Sequence, residues 1–153
     1  MNSGEIAGPG VPAAERTVLL VGGAGYVGSV ITRHLLDHDY GVRSFDLLLF
    51  NNRSTITPFL DNPRYQFVHG DLADETRMGE ALDGVTDVVL LAGLVGDPIT
   101  RKYPDAARRI NEDGYDTMLS RLAGRGLGRV VFAFGPVIGR IRTPLRTFVS
   151  GDK

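Results

Sequence analysis

A chain of 153 residues, 42% apolar and 23% charged, is long enough to bury one core and has the balance of an ordinary globular domain. It has no cysteine, which excludes disulfides and thiolate metal sites, and only three histidines, His34, His38 and His69, so no metal is expected. The net charge of −1 hides an asymmetry: residues 121–153 hold six Arg, one Lys and one Asp, and the rest holds ten basic and seventeen acidic residues. That basic end lacks interleaved aromatics and any nucleic-acid motif, so nucleic acid is not the expected partner.

In chain order, residues 1–16, "MNSGEIAGPGVPAAER", read as a flexible leader rich in Gly, Pro and Ala. They have no basic start and no apolar core, and so are not read as a signal peptide. No apolar run in the chain approaches the roughly 20 residues that span a bilayer. A cytoplasmic chain with no membrane contact is expected. A first strand is predicted over Thr17–Val21, then a helix over Tyr26–Asp37 with Val27, Val30, Ile31 and Leu35 at helical spacing. His34 and His38 fall on this helix, near the C-terminal end where a partial positive charge is welcome. A second strand follows over Gly41–Asp46, then a loop, "NNRSTITPFLDNP", with room for one helical turn and punctuated by Pro58 and Pro63. A third strand covers Tyr65–His69, and a helix over Asp74–Leu82 takes Asp74 as its N-cap. A fourth strand is predicted over Asp87–Ala92. A long helix over Asp105–Gly124 carries Ala106, Ile110, Met118 and Leu122, with Gly124 and Gly126 as stops. A fifth strand covers Arg129–Phe134.

The strands are near-continuous apolar runs, as in parallel sheets buried on both faces. Their alternation with helices implies right-handed crossovers and an α/β, Rossmann-like, doubly wound parallel sheet of about five strands in order 3-2-1-4-5. Ligand is then expected at the carboxyl ends of the strands, at the switch point between strands 1 and 4. Residues 17–139 form this domain. Residues 140–153 form an atypical basic tail, in which "RTFVS", 146–150, is a candidate edge strand.

"VLLVGGAGYVGSV", 18–30, places Gly22, Gly25 and Gly28 three residues apart, directly after a strand and at the opening of a helix. In that context Gly22 allows the tight turn, Gly25 lets the backbone approach a pyrophosphate, and Gly28 lets the helix pack closely on the strand. The backbone N–H groups and helix dipole at Tyr26, Val27 and Gly28 favour phosphates. Asp46 ends the second strand, 21 residues after Gly25, where a carboxylate can accept both ribose hydroxyls of an adenosine. It would repel a 2′-phosphate, so NAD is expected as cofactor and NADP disfavoured, with Arg43 and Arg53 as the cations able to compensate a phosphate.

With these residues the chain resembles the extended short-chain dehydrogenase/reductase family, in particular its NAD-dependent nucleotide-sugar epimerases and dehydratases. "VGGAGYVG" is similar to the family's TGGxGxxG loop, with Val21 in place of Thr. "FDLLLFNN" resembles its Asp-terminated second strand. "VHGDLAD" resembles the end of its third strand, where the resemblance puts Asp71 and Leu72 against adenine. "DVVLLAGLVGDP" is similar to its fourth strand, with Leu91, Ala92 and Gly93 beside the cofactor. "INEDGYDTML" resembles its helix motif N-x-x-G-x-x-x-L and puts Asn111 near the active site. The resemblance covers about residues 17–139 and implies a dinucleotide, with a nucleotide-sugar or other small molecule as partner. On the residues alone, Asp71 reads either as an adenine contact or as a turn or helix cap. Asn111 is a mildly unfavourable residue inside a helix, and reads as a specific contact or as a solvent-facing side chain.

The resemblance ends after the fifth strand. Family members carry a Ser or Thr there, in a segment like SSxxVYG, and then, on the next helix, a Tyr with a Lys four residues later. The Tyr is the general acid/base and the Lys lowers its pKa. In "FAFGPVIGR", 132–140, Phe134, Gly135 and Pro136 stand where hydroxyls belong and Ile138 where the Tyr of that segment belongs. "IRTPLRTFVSGDK" adds Thr143, Thr147 and Ser150 but no Tyr, and its one Lys is Lys153. Tyr26, Tyr103 and Tyr115 have no Lys four residues on. Catalytic residues are therefore unknown, and the chain reads as truncated relative to the family. "RVVFAF" would be an apolar edge unless the tail or a second copy of the chain covers it, which makes a homo-oligomer through the fifth strand an expectation. Three readings follow. One is an NAD-binding domain inactive alone or dependent on a partner. The second is a small enzyme reusing the fold for non-redox chemistry such as cyclisation or isomerisation, with Asp97, Asp71, Tyr103 and His69 as candidates. The third is a nonenzymatic dinucleotide sensor or partner-binding protein.

Overall fold

The computed structural model describes residues 11–93, 101–108 and 113–132. Five strands, β1 (Thr17–Val21), β2 (Gly41–Asp46), β3 (Tyr65–His69), β4 (Asp87–Leu90) and β5 (Arg129–Phe132), form one sheet in the order β3-β2-β1-β4-β5. All four pairings are parallel. Among the described residues the helices include α1 (Tyr26–Asp37), α2 (Glu75–Leu82), α3 (Pro104–Arg108) and α4 (Tyr115–Leu122). Strand order and pairing are those expected from the alternating pattern.

The period-2 alternation of β1 divides the core between the two faces of the sheet. Val18 and Leu20 join Val42 on one face, where Ile31 and Leu35 of α1 and Ile56 and Phe59 pack over them. Leu19 and Val21 face the other way with Phe45, Val88 and Leu90, under Met78, Ala81 and Leu82 of α2 and Met118, Leu119 and Leu122 of α4. Leu19, Leu20, Met78, Met118 and Leu119 are fully buried. Each such side chain contributes about 1.5–3 kcal/mol of burial free energy. β1 is thus central in both senses, flanked by β2 and β4 and covered on both faces.

Several boundaries differ from expectation for local reasons. β4 stops at Leu90 rather than Ala92, because the amides of Leu91 and Ala92 both donate to Val21 O, each at 2.8 Å. Consecutive amides of a strand point to opposite sides, so two that converge on one carbonyl have left the ladder. The loop after β2 holds two short 3-10 turns, Arg53–Thr55 and Thr57–Phe59, with Pro58 inside the second. The long helix expected over 105–124 is helical in α3 and α4. It ends at Leu122, followed by Gly124 at φ 74°. Asp74 caps α2, accepting from the amides of Thr76 and Arg77. Residues 1–10, Asp97, Ile110, Asn111 and the whole segment 133–153 lie outside the described residues.

At the amino ends of the strands, Arg16 pairs with Asp87 through Nε–Oδ2 at 2.9 Å and a second contact from Nη2 to Oδ1. Asp87 also accepts from Thr86 Oγ1 at 2.7 Å. This pair ties β1 to β4 at the end of the sheet opposite the glycine loop.

Candidate functional site

At the end of β1 the chain enters Gly22 with φ 86°, a conformation costly for any residue with a Cβ. A Cβ there would also lie 2.6 Å from Ala92 N. Gly25 is extended and forms the N-cap of α1, without any side-chain cap. The first helical bond runs from Ser29 N–H to Gly25 O at 2.9 Å, leaving the amides of Tyr26, Val27 and Gly28 as the first-turn donors. Gly28 rests on the loop itself, since a Cβ there would sit 2.4 Å from Gly23 O. The glycines thus bring an uncapped, partly positive helix end against the carboxyl end of β1. In α2, by contrast, the amides of Thr76 and Arg77 are taken by the Asp74 side chain.

Beside that helix end lies a cleft of about 160 Å³. It is lined from β1 by Gly22 and Gly25, from the end of β2 by Asp46, from the end of β3 by Asp71 and Leu72, and from the end of β4 by Leu91, Ala92 and Gly93. Leu47, Leu49, Phe50 and Asn52 of the loop after β2 complete the wall. Leu49 and Phe50 are largely exposed, so the loop gives the cleft an open apolar rim. Eight of the twelve residues expected at a cofactor site therefore line one cavity. Tyr26, Val27 and Gly28 form the adjoining first turn of α1, and Asn111 is outside the described residues.

The carboxylates of the cleft are bound by backbone amides. Asp46 Oδ2 accepts from Ala24 N–H at 3.0 Å and Oδ1 from Leu48 N–H at 2.8 Å. Asp71 Oδ1 accepts from Ala73 N–H at 3.0 Å, so the turn-capping role is present on a residue that also lines the cleft. Arg43, a candidate partner for a ribose phosphate, is committed elsewhere. Its guanidinium donates to Gln66 Oε1 at 2.9 Å and to the α2 carbonyls of Ala81 and Asp83 at 2.8 and 2.6 Å.

Three contributors were not singled out from sequence. Asn52 Nδ2 donates to Ala24 O at 2.5 Å, and Thr55 Oγ1 lies 2.6 Å from the same carbonyl. Asn52 Oδ1 is buried without a partner. Tyr115, at the start of α4, donates its hydroxyl to Ala92 O and braces the β4 wall. Burial pushes its phenol above the ordinary value, so it keeps its proton. The polar run "NNRST" after an acid-terminated strand was the available signal for Asn52 and Thr55. Tyr115 had none beyond its aromatic character.

The remaining candidates stand apart from the cleft lining. His69 Nε2 lies 3.0 Å from Leu47 O, and Tyr103 is exposed with Lys102 Nζ 5.2 Å from its ring centre. His34 and His38 stack on each other near the end of α1, with ring centres 4.2 Å apart. Among the described residues no three metal-binding side chains cluster, and no helix is long and apolar enough to cross a membrane.

Comparison with known proteins gives this arrangement a family. Bovine sterol-4-alpha-carboxylate 3-dehydrogenase, decarboxylating, is 36% identical over 121 residues, covering 79% of this chain and 30% of the relative. The 3 beta-hydroxysteroid dehydrogenase/Delta 5-->4-isomerase of Mycobacterium tuberculosis is 29% identical over 119 residues, covering 75% of this chain and 30% of the relative. Among solved structures, the dTDP-glucose 4,6-dehydratase DesIV of Streptomyces venezuelae, with NAD and TYD bound, superposes with a TM-score of 0.68 at 31% identity. That match covers 74% of this chain and 38% of DesIV, so the chain spans about a third of the length of these relatives. Residues 18–138 match the NAD dependent epimerase/dehydratase family. With the glycine loop, the acid-terminated β2 and the cleft between them all falling inside that span, the chain belongs to the NAD dependent epimerase/dehydratase family.

Proposed function

We propose that residues 17–139 form the NAD-binding unit of an epimerase/dehydratase-type protein acting on a nucleotide-sugar or another small molecule. The observation that carries this reading is the convergence of the uncapped α1 terminus with the ends of β1, β2, β3 and β4 around one cleft. The first-turn amides of Tyr26, Val27 and Gly28 take the pyrophosphate. Asp46 takes the adenosine ribose hydroxyls, and Asp71 and Leu72 flank adenine. Leu91, Ala92 and Gly93 form the wall beside the cofactor, with Asn111 toward the reacting end. The Asp46 carboxylate disfavours a 2′-phosphate, and Arg43 is tied to α2, so NAD is favoured over NADP. The bound NAD in DesIV supports the cofactor class.

Bound NAD would supply a hydride acceptor; this chain's residues hold it in a cleft whose apolar rim, Leu49 and Phe50, is open. The proton transfers that normally accompany such chemistry need an acid/base that "FAFGPVIGR" does not offer. Tyr115 is no substitute, because its proton is held by burial and by Ala92 O. The chain by itself is accordingly a binding unit, inactive alone or dependent on a partner for turnover. Non-redox chemistry through Asp97, Asp71, Tyr103 and His69 draws less support, since His69 and Tyr103 do not line the cleft.

Thermal unfolding of the purified chain with and without NAD tests the reading. Ligand at a hundred times its Kd stabilises by about 2.7 kcal/mol. That is a rise in Tm of about 5–10 °C for a chain of this size. No shift at millimolar NAD overturns the proposal. Turnover of a nucleotide-sugar by the chain alone overturns the inactive-alone part of it.

A further inference from the structure

Ala24 is the one residue of the glycine loop that is fully buried without being a glycine, and both of its backbone groups are held from a distant segment. Its N–H donates to Asp46 Oδ2, and its carbonyl accepts from Asn52 Nδ2 at 2.5 Å. Thr55 Oγ1 lies 2.6 Å from that carbonyl and 2.8 Å from Asn52 O, so its single proton serves one of the two at a time. Peptide planarity turns these contacts into orientation. The Ala24 carbonyl shares a plane with Gly25 N–H, which donates to Gly22 O at 3.2 Å and closes the loop. Gly25 is also the N-cap of α1, so fixing that plane fixes where the first-turn amides point.

The segment that supplies the clamp is itself tightly set. Leu48 and Asn51 both take left-handed φ values, 56° and 51°, which non-glycine residues rarely adopt. Leu48 N–H is held by Asp46 Oδ1 at 2.8 Å, and Asn51 N–H by Leu48 O at 2.9 Å. Such conformations persist where surrounding contacts over-determine them. Between the two anchor points, Leu47, Leu49 and Phe50 form the cleft wall. A ligand resting on that wall therefore touches the same segment that orients the phosphate loop.

We propose that Asn52 and Thr55 are positioning residues for pyrophosphate recognition, acting through the Ala24 carbonyl rather than by touching the ligand's phosphates. The inference rests on the dinucleotide reading above. Through the clamp, the loop that walls the adenosine half sets the geometry of the helix end that receives the pyrophosphate.

Calorimetric titration of the 153-residue chain with NAD and, separately, with adenosine tests this. Thr55→Val removes the hydroxyl at nearly constant shape, Thr55→Ser keeps it, and Asn52→Ala removes the other donor. The expected result is about a tenfold weaker NAD affinity in Thr55→Val and Asn52→Ala, with adenosine affinity changed less than twofold in Thr55→Val, whose side chain does not line the cleft, and Thr55→Ser within twofold of wild type for both probes. Unchanged NAD affinity in both truncating variants overturns the clamp. Equal losses for NAD and adenosine in Thr55→Val also overturn it, because they place the effect in the adenosine wall alone. Wild-type protein that binds no NAD overturns the dinucleotide reading itself, a result distinguishable from a wild type that binds with variants unaffected.

Discussion

Asp46 Oδ2 lies 3.0 Å from the amide nitrogen of Ala24, joining the end of β2 to the middle of the glycine loop. The carboxylate therefore has a structural task as well as a place in the cleft, and its two substitutions should separate them. Asp46→Ala loses both carboxylate acceptors of the Ala24 and Leu48 amides and should cost about 1–3 kcal/mol of stability. It should also weaken NAD at least tenfold. Asp46→Asn keeps one acceptor oxygen and loses the charge, so it should retain most of the stability while narrowing the preference for NAD over NADP. Calorimetry with both dinucleotides checks this. A dinucleotide preference that survives Asp46→Asn unchanged removes the ribose role.

The glycines differ in what a methyl group would meet, and this predicts opposite signs. Gly22→Ala combines a φ of 86° with a Cβ 2.6 Å from Ala92 N, a backbone atom that cannot swing aside. It should destabilise by about 3 kcal/mol or more. Gly79 lies inside α2 with nothing within 4 Å of an added Cβ. Gly79→Ala should stabilise by about 0.5–1 kcal/mol through reduced unfolded-state entropy. Urea unfolding of the two variants decides both, and a destabilised Gly79→Ala would mean that α2 packs more tightly at that position.

The Arg16–Asp87 pair allows stability to be lowered without touching the cleft. Asp87 is 5% exposed, and removing Arg16 leaves its charge, among the described residues, with Thr86 Oγ1 as its remaining side-chain donor. Arg16→Ala should cost about 3 kcal/mol, the range for stranding a buried charge. Because the pair sits at the amino ends of β1 and β4, NAD affinity at a temperature where the variant is folded should stay within twofold of wild type. A parallel loss of affinity would show that the sheet's two ends are coupled.

The fold was legible because its signals are local and repeated. Thr17–Val21 is an apolar run closed by a glycine turn, Gly41–Asp46 follows the first helix after a short turn, and alternation with helices restricts their order. Asp46 and the glycines were legible for the same reason, since each occupies a fixed place relative to a strand end. Asn52 and Thr55 were not, because their partner lies 28 and 31 residues back and is met only when the loop after β2 folds over the glycine turn. Tyr115 lacks a lysine four residues on, yet its hydroxyl reaches a carbonyl 23 residues earlier, a contact no local pattern encodes. The early end of β4 had the same origin: Val21 O takes two amides, a contact set by pairing and not by the residues of β4.

One buried phenol, Tyr65, and one half-buried phenol, Tyr115, give the chain a pH dependence with a definite sign. Burial raises Tyr115, and raises Tyr65 more than its contact with Ser44 lowers it. A phenol raised in the folded state binds its proton more tightly there than in the unfolded chain, whose value is about 10. The stabilisation is therefore fully present below about pH 10 and is lost as pH climbs through the folded values. Stability measured by urea unfolding should be flat in this respect between pH 7 and about pH 9, and should fall above about pH 10. Tyr115→Phe cannot ionise, so it should lower stability modestly at neutral pH through the lost bond to Ala92 O while reducing the alkaline slope. A Tyr115→Phe slope identical to wild type above pH 10 would assign the alkaline loss to Tyr65 alone. A wild type equally stable at pH 8 and pH 11 would show that neither phenol is held away from water as the packing around them requires.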